Sequence, residues 1–290
     1  MASSKRASKR TKPGTGKPPR LPPLPCVLSI GGLDPGGGAG VLADARAIAL
    51  TGAFACAAVA VLTVQSTSGM REATAVAKRE LLAECTEVVK HQRVRAIKVG
   101  ALGSKENAKA IGDFLAIHRD IPAVVDTVMM PTRGRARLLD ERAVSALRKR
   151  VLPSAALVTV NAPEAAVLTG KRVTRLDEAR DAARALLRLG CRAVLIKGGH
   201  LGGAKAVDLL AISKSEVIEL TAPRLKLAPF HGGGCFLASL IAGRLAVAAD
   251  AYREDPVATL VDAVRWAKKL HHQVLVQARD VGGDLRVLLG

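Results

Sequence analysis

The stretch SIGGLDPGGGAGVLADARAIAL, residues 29–50, sets out the architecture of the chain. The apolar segment Leu24–Ile30, which overlaps its start, predicts a buried strand. Beyond Gly40, apolar residues recur near helical spacing, and Asp44 and Arg46 are interleaved on the side that we expect to face solvent. A strand that passes through glycines into a helix brings bare backbone N–H groups close to a ligand.

This glycine-rich loop matches neither of the two best-known phosphate-binding patterns. Strict G-x-G-x-x-G fails in every frame from Gly31 to Gly40, and only a relaxed form that starts at Gly38 and ends at Ala43 can be fitted. The Gly-Lys-Ser/Thr ending of the other pattern is absent. Two interpretations therefore stay open at this point: a ligand-binding loop, or a flexible turn that permits tight strand–helix packing.

Composition and charge predict one domain with a basic extension. The 290 residues are 49% hydrophobic and carry a formal charge of +19, with seven Lys or Arg and no acid in residues 1–25. Residues 1–23 lack apolar periodicity, so we expect a disordered basic tail followed by one domain over residues 24–290. A nucleic-acid or membrane-surface role for the tail is the alternative to a solvated extension without a defined role.

Several classes of protein are disfavoured by the rest of the chain. No apolar run is long enough to span a membrane, and the N-terminus has no apolar segment of a secretory signal. Five scattered cysteines without a C-x-x-C pair indicate reduced thiols in a cytoplasmic protein. An aromatic content of 2% argues against base-stacking nucleic-acid modules. Four histidines lack metal-ligand spacing and are expected at the surface: His91, His118, His271 and His272.

Apolar strands alternate with helical stretches from Cys26 onward, which predicts βαβ units and a mostly parallel sheet covered on both faces. The predicted strand ends are polar residues or glycines, and in open parallel sheets ligands bind at the carboxyl ends of the strands. We therefore expect one ligand-binding edge formed by Gly31-Gly32, Gln65, Gly100, Asp126, Asn161 and Lys197. The predicted helices are centred on Glu80–Val89, Lys105–Ile117, Glu141–Leu152, Leu176–Leu189, Gly234–Ala248 and Val257–Ala278, with a hairpin over Val207–Leu220.

A second glycine cluster, His231-Gly232-Gly233-Gly234-Cys235, precedes one of these helices. Glycines at a helix N-terminus form a cup of N–H donors, which suits a phosphate or a developing negative charge. The same field would favour the thiolate of Cys235. The alternative is a plain turn beside a small buried hydrophobic residue.

Four polar residues at strand ends are candidates for chemistry. Asp126 and Glu164 could hold Mg²⁺ together with substrate phosphates, or could merely cap a loop and begin a helix. Lys197 could reach a phosphoryl oxygen, or simply be exposed. Gln65 offers one acceptor and two donors, the complement of an aminopyrimidine edge, although a solvated loop residue is the simpler interpretation.

Together these stretches resemble the hydroxymethylpyrimidine/phosphomethylpyrimidine kinases of thiamine biosynthesis, within the ribokinase-like superfamily. The resemblance covers roughly residues 25–245. The Gln65-x-Thr67-x-Gly69 segment and a cysteine at position 235 are specific to this family within the superfamily. The matching blocks are SIGGLDPGGGAGVLADARAI, VLTVQSTSGM, IKVGALGS, VVDTVMM, LVTVNAPEAAVLTG, VLIKGGH and HGGGCFLASLIAG.

The resemblance implies a three-layer α/β/α fold, ATP with Mg²⁺, a homodimer, and transfer of the γ-phosphoryl group to the pyrimidine's hydroxymethyl oxygen or to its monophosphate. It places Gly32, Asp34, Gln65 and Val128 at the pyrimidine, Asn161, Lys197 and Gly198 at ATP, and Asp126 and Glu164 at the metal. It assigns catalysis to Lys197 and to an anion hole of Gly232, Gly233, Gly234 and Cys235, with Cys235 also a candidate acceptor for the hydroxyl proton. The alternatives are a pyridoxal-type kinase, a kinase of another hydroxymethyl heterocycle, and a pyrimidine-binding regulator without turnover.

The chain departs from the family pattern at several positions. Gly233 replaces a threonine of the anion hole, and we expect restoration of threonine to be tolerated if the φ angle of Gly233 is not positive. The C-terminal G-P-x-x-H is missing after Val281-Gly282-Gly283. The other departures are Leu33 for Ser or Thr, Ser66 for Asn, Ala101 for Met, Thr132-Arg133-Gly134 for Lys-Ser-Gly, and Phe236 for a small polar residue.

Overall fold

The structure is a computed structural model that describes residues 22–130, 133, 138–139, 141–225 and 228–289. Residues 1–21 of the predicted disordered tail and the departures at Thr132 and Gly134 lie outside these residues. No helix in the described part of the chain is long and apolar enough to cross a membrane.

Nine strands and nine α-helices are formed by the described residues. The strands are β1 (Cys26–Leu33), β2 (Phe54–Ser66), β3 (Gly69–Ala75), β4 (Val94–Val99), β5 (Ala123–Asp126), β6 (Leu157–Asn161), β7 (Val194–Lys197), β8 (Lys205–Ala211) and β9 (Val217–Pro223). The helices are α1 (Gly40–Ala49), α2 (Lys78–His91), α3 (Lys105–Ile117), α4 (Glu141–Ala146), α5 (Ala162–Thr169), α6 (Leu176–Leu187), α7 (Gly233–Val247), α8 (Ala249–Glu254) and α9 (Pro256–Val276).

The strands form one sheet in the order β3-β2-β1-β4-β5-β6-β7-β8-β9. The six strands from β2 to β7 in this order run parallel, whereas β3 pairs antiparallel to β2 and β8 pairs antiparallel to both β7 and β9. This arrangement confirms the predicted α/β fold with a mostly parallel sheet.

Apolar side chains leave both faces of the sheet, so two separate cores form. On β1, Leu28 and Ile30 join one core with residues of α2, α3 and α6. Val27, which points the other way, joins the second core with residues of α1, α7 and α9. Helices therefore cover both faces, as a three-layer α/β/α architecture requires.

The structure differs from the predicted elements in three places. The segment predicted as a loop from Gln65 to Gly69 contains only a tight turn, because β2 extends through Ser66 and pairs with β3 in an unpredicted hairpin. The helix predicted over Glu141–Leu152 is α-helical only to Ala146 and continues as π- and 3₁₀-turns to Ser154. The short helix α8 was not predicted, whereas α5 agrees with the alternative in which Glu164 begins a helix.

Candidate active site

A cavity of about 720 Å³ opens at the carboxyl ends of the parallel strands. This volume is in the range of small-molecule sites. It brings together nearly all the predicted site residues: Gly32, Asp34, Gln65, Asp126, Val128, Asn161, Glu164, Lys197, Gly232, Gly233, Gly234 and Cys235. Among the described site residues, Gly198 does not line the cavity, whereas its neighbour Gly199 does.

The two glycine-rich loops pack directly against each other. Gly232 has φ 78°, and a Cβ atom there would lie 2.1 Å from the carbonyl oxygen of Gly38. Gly40 has φ 60°, and its Cβ would lie 2.1 Å from the carbonyl oxygen of Gly32. Both positions therefore require glycine for backbone conformation and for close approach. The packing interpretation of the first loop holds here, and the loop also forms a wall of the cavity.

Asp34 organises the first loop from within. Its carboxylate accepts hydrogen bonds from the backbone amides of Gly36, at 2.8 Å, and Ala39, at 2.9 Å. Burial alone would raise the pKa of Asp34, but hydrogen bonds from His231 and from these amides outweigh it and hold the pKa below its usual value. Asp34 is therefore an ionised structural anchor at the cavity wall.

His231 connects the second loop to the predicted pyrimidine contact. Its Nε2 atom lies 3.1 Å from Asp34 Oδ2 and 2.6 Å from Gln65 Nε2. The imidazole is buried, so the three side chains form one network. This network lies at the end of the cavity that contains the predicted pyrimidine contacts, which we call the acceptor end. His231 belongs to the predicted glycine cluster but was not predicted as a site residue. Its position directly before the glycines was the sequence feature that could have indicated its role.

Lys197 and Asp126 form a buried ion pair at the ends of β7 and β5. Lys197 Nζ lies 2.7 Å from Asp126 Oδ1, which also accepts a hydrogen bond from Thr159 Oγ1 at 2.8 Å. Burial would raise the pKa of Asp126, but Lys197 and then Lys98 lower it below its usual value. Burial likewise opposes the charge of Lys197, and Asp126 more than offsets it, so the pKa of Lys197 is raised. Both groups are therefore charged, and Lys197 is not the exposed lysine of the simpler interpretation.

Glu164 begins α5 in a capping box with Asn161. The backbone amide of Glu164 donates to Asn161 Oδ1 at 2.8 Å, and the amide of Asn161 donates to Glu164 Oε2 at 3.1 Å. The alternative in which Glu164 begins a helix is thus correct, and its Oε2 atom is the carboxylate oxygen used in the capping box. Burial raises the pKa of Glu164 to about 7, since the attraction of Lys197 only partly offsets it and Asp126 adds repulsion.

The predicted metal site has two carboxylates, Asp126 and Glu164, and no third His, Cys, Asp or Glu ligand among the residues that the structure describes. Within the described residues, no group of three or more His, Cys, Asp or Glu side chains could hold a metal ion. Asp126 and Glu164 nevertheless repel each other across the same end of the cavity. Two carboxylates that favour an added positive charge, with room for phosphates, fit the coordination habit of Mg²⁺.

The expectation that helix α7 favours a thiolate at Cys235 is wrong. Burial and then the negative charge of Asp126 raise the pKa of Cys235, and the opposing effects of Lys98 and Lys197 are smaller. The thiol is therefore protonated at neutral pH in the ligand-free protein. The backbone amides at the start of α7, rather than a resident thiolate, provide the anion-binding character of this loop.

A second buried ion pair, Lys98–Asp44, was not predicted from the sequence. The expected solvent-facing position of Asp44 is wrong, because this residue has no exposed surface and its Oδ2 lies 2.7 Å from Lys98 Nζ. A lysine within the apolar strand VRAIKV was the signal that a buried partner existed.

A third charged pair lies at the end of the cavity that β8 and α9 form. Asp208 accepts a hydrogen bond from the backbone amide of Gly198 at 2.7 Å and forms an ion pair with Lys268. His271, expected at the surface, lines this end of the cavity, and its Nε2 atom is buried without a hydrogen-bond partner among the described residues. Because of burial, the pKa of His271 is lowered to about 4.

Two departures from the family pattern are explained by local packing. The φ angle of Gly233 is not positive, as the expected tolerance of threonine requires, but a Cβ atom there would lie 2.4 Å from Cε2 of Phe230, so this ring has to shift before threonine fits. Phe236 is a core residue of α7, with 1% of its surface exposed.

The C-terminal segment that lacks G-P-x-x-H packs over the β2–β3 turn and the second glycine-rich loop. Thr67 Oγ1 donates a hydrogen bond to the carbonyl oxygen of Gly282 at 2.7 Å. The backbone amide of His231 donates to the carbonyl oxygen of Arg286 at 2.8 Å. An ion pair of 2.8 Å between Arg133 and Asp284 lies beside them. The segment thus ties the β2–β3 turn to the second glycine-rich loop through hydrogen bonds to its backbone carbonyls.

This fold and cavity define an α/β phosphotransferase of ribokinase-like architecture. The family model of phosphomethylpyrimidine kinases matches residues 34–286, so the chain belongs to that family. It is 42% identical to the hydroxymethylpyrimidine/phosphomethylpyrimidine kinase of Streptomyces coelicolor, over 92% of this chain and 94% of that protein. It is 39% identical to the thiamine biosynthesis bifunctional protein ThiED of Geobacter sulfurreducens, over 91% of this chain but only 52% of that longer protein.

Solved structures agree with this assignment. The phosphomethylpyrimidine kinase of Clostridium difficile 630 matches with a TM-score of 0.71 and 29% identity, over 86% of this chain and 98% of that chain. The pyridoxal kinase of Staphylococcus aureus in complex with AMP-PCP and pyridoxal matches with a TM-score of 0.80 and 24% identity, over 91% and 93% of the two chains. The second similarity is one of fold alone.

Proposed function

We propose that the protein transfers the γ-phosphoryl group of ATP to 4-amino-5-hydroxymethyl-2-methylpyrimidine, to its monophosphate, or to both. The observation that carries this proposal is the single cavity that joins the Gln65–His231 pair to the amides of Gly232–Gly234 and to Lys197. One end offers amide donors and acceptors for an aminopyrimidine, and the other offers N–H groups and a cation for phosphates. Relatives in this family carry the same activity in their names.

The residues divide the reaction between binding and charge stabilisation. Gln65, Gly32 and Val128 would position the pyrimidine, while Asn161 and Lys197 would contact the triphosphate. Asp126 and Glu164 would hold Mg²⁺, which when bound neutralises phosphate charge. As the acceptor oxygen attacks the γ-phosphorus and ADP departs, the amides of Gly232–Gly234 face the developing charge. Phosphoryl transfer through a loose transition state needs little base assistance, which is consistent with a protonated Cys235.

The decisive experiment supplies purified protein with Mg-ATP and, in separate reactions, the hydroxymethylpyrimidine, its monophosphate and pyridoxal. We expect turnover with one or both pyrimidines that exceeds turnover with pyridoxal. Cys235→Ala should lower kcat and kcat/KM together, by up to about 10²-fold, and leave the nucleotide Kd nearly unchanged. Preference for pyridoxal would support the alternative kinase, and binding of pyrimidine without turnover would support a regulator.

We also propose that the protein is a cytoplasmic homodimer. Leu62 and Val64 occupy alternate positions of β2 and are 50% and 43% exposed, and they pair with Thr74 and Glu72 of β3, so the face is apolar on β2 and polar on β3. A second copy of the chain would cover it. Sedimentation of the parent protein and of Leu62→Lys tests the dimer, which the charged variant should weaken. The cysteines at positions 26, 56, 85, 191 and 235 are free thiols, in keeping with a reducing compartment.

A further inference from the structure

The Lys98–Asp44 ion pair lies beneath the acceptor end of the cavity and is held rigidly. Lys98 is 1% exposed and Asp44 is 0% exposed. Besides Lys98, Asp44 accepts hydrogen bonds from Ser29 Oγ at 2.7 Å and from Ser239 Oγ at 2.8 Å. The carboxylate therefore receives donors from β1, β4 and α7, and it fixes the position of the ammonium group.

Lys98 is not confined to this pair, because it also lines the cavity. In the sheet it lies opposite Ser29 of β1 and Val124 of β5, so it shares a face with Asp126, two residues beyond Val124. A Cβ atom at Gly100 would lie 2.9 Å from Lys98 Nζ, so glycine leaves this side of the ammonium open. The ammonium thus stands between Asp44 on one side and the cavity on the other.

The ammonium carries a permanent charge. Burial would lower the pKa of Lys98, but the attraction of Asp44, with a smaller one from Asp126, raises it above its usual value. An ammonium has three N–H donors, and within the described residues Asp44 accepts the one hydrogen bond from Lys98. A buried charge with unused donors is costly unless a further acceptor meets it. A ligand oxygen in the cavity would be such an acceptor.

We propose that Lys98 is a catalytic residue that donates hydrogen bonds to the acceptor oxygen at which phosphoryl transfer occurs, with Asp44 as its positioning residue. This inference rests on the proposed function. Gly32, at the predicted pyrimidine position, Ala101 beside it and Cys235, at the anion hole, line the same cavity as Lys98, and Cys235 is near enough to Lys98 to interact with it electrostatically. The reacting oxygen has to lie between these two regions.

The step is balanced without a change in Lys98. The acceptor oxygen forms a bond to the γ-phosphorus, the bond from that phosphorus to the bridging oxygen breaks, and ADP leaves with the electron pair. The hydroxyl proton, where the acceptor has one, leaves the oxygen late and passes to a non-bridging oxygen of the transferred phosphoryl group, and Lys98 keeps its own protons throughout. The monophosphate acceptor carries more negative charge than the alcohol, so its reaction depends more strongly on Lys98.

The test uses a variant that removes both charges, because Lys98→Met alone would leave Asp44 as an uncompensated buried carboxylate. Asp44→Asn with Lys98→Met keeps the shape of the site and a partner for both serines, because the amide oxygen accepts from one hydroxyl and the amide N–H donates to the other. Thermal unfolding confirms that the variant is folded, and calorimetry measures its ATP affinity. Ser239→Ala is the matched control, because it removes one hydrogen bond to Asp44 and leaves the Lys98 charge in place.

We expect the folded double variant to bind ATP as the parent does and to lose about 10²-fold in kcat/KM with the alcohol acceptor, and more with the monophosphate. Ser239→Ala should stay within about threefold of the parent. Parental kcat/KM in a folded double variant would overturn the proposal and leave Lys98 as a counter-ion of Asp44. If the parent protein turns over neither pyrimidine, the proposed function fails, and binding of inorganic phosphate in the presence of ADP decides instead. Affinity at least about tenfold weaker in the double variant supports Lys98 as an anion-binding residue, and equal affinity overturns it.

Discussion

The Nε2 atom of His231 lies 3.1 Å from Oδ2 of Asp34, and this contact fastens the anion-hole loop to the first glycine-rich loop. The residues are 197 positions apart in the chain. The same imidazole contacts Gln65, so the group that would bind the pyrimidine and the loop that would bind the phosphoryl group share one side chain. Acceptor binding and phosphate binding are therefore structurally connected before any ligand arrives.

This connection predicts non-additive effects on acceptor binding. Gln65→Leu should weaken the pyrimidine by about 1–3 kcal/mol, through an unpaired amine on the ligand. His231→Phe keeps a ring beside Gly38 but releases Gln65, so we expect a loss of similar size. Because both variants break one network, the double variant should lose little more than either single variant. Calorimetric Kd values for acceptor and ATP test this, and fully additive losses, or an equal loss of ATP affinity, would contradict it.

Contact between the two loops predicts that Gly232 tolerates no side chain. Gly232→Ala would force both a left-handed φ of 78° and a Cβ 2.1 Å from the Gly38 carbonyl. We expect loss of at least about 1–3 kcal/mol of stability and of most activity. Gly202→Ala is the matched control, because its φ is not positive and a Cβ there meets nothing within 4 Å. Equal melting temperatures for the two variants would disprove the packing argument.

The contact between Phe230 and Gly233 predicts a compensating pair. Gly233→Thr alone should reduce kcat, because its Cβ would lie 2.4 Å from the Phe230 ring and would displace the loop. Phe230→Ala with Gly233→Thr makes room for the threonine hydroxyl and should recover activity relative to Gly233→Thr. Kinetics of the two single variants and the double variant measure the coupling. If Gly233→Thr alone is as active as the parent, the ring moves aside freely and the steric explanation fails.

Burial of His271 predicts a loss of stability in mild acid. Its pKa is about 4 in the folded protein, against 6.5 when unperturbed, so the unfolded chain binds more protons below pH 6.5. The contribution of neutral His271 to the free energy of unfolding is fully present above pH 6.5 and declines as the pH falls, so that about 2 kcal/mol is lost at pH 5. His271→Phe removes the titration. Denaturant unfolding of both proteins at pH 7 and pH 5 should therefore show a smaller decline for the variant, and equal declines would exclude His271 as the cause.

The strand–helix alternation and the position of the ligand edge could be predicted from the sequence because both follow from local patterns. Apolar runs such as Val94–Val99 form strands, glycine terminates them, and parallel strands place their carboxyl ends together. The predicted residues Gln65, Asp126, Lys197 and Cys235 do line one cavity. The hairpin strand β3 was missed, because its sequence GMREATA has little apolar alternation and most of its side chains are exposed.

Partnerships across the fold could not be predicted, because they depend on strand order and helix packing. Asp44 has the spacing of a solvent-facing residue, yet β4 lies next to β1 and supplies Lys98, 54 residues away, as its buried partner. The protonated thiol of Cys235 depends in the same way on burial by the surrounding elements and then on Asp126, which belongs to a different strand. Helical and strand periodicity are properties of neighbouring residues, whereas the charge state of a buried group depends on every element that packs against it.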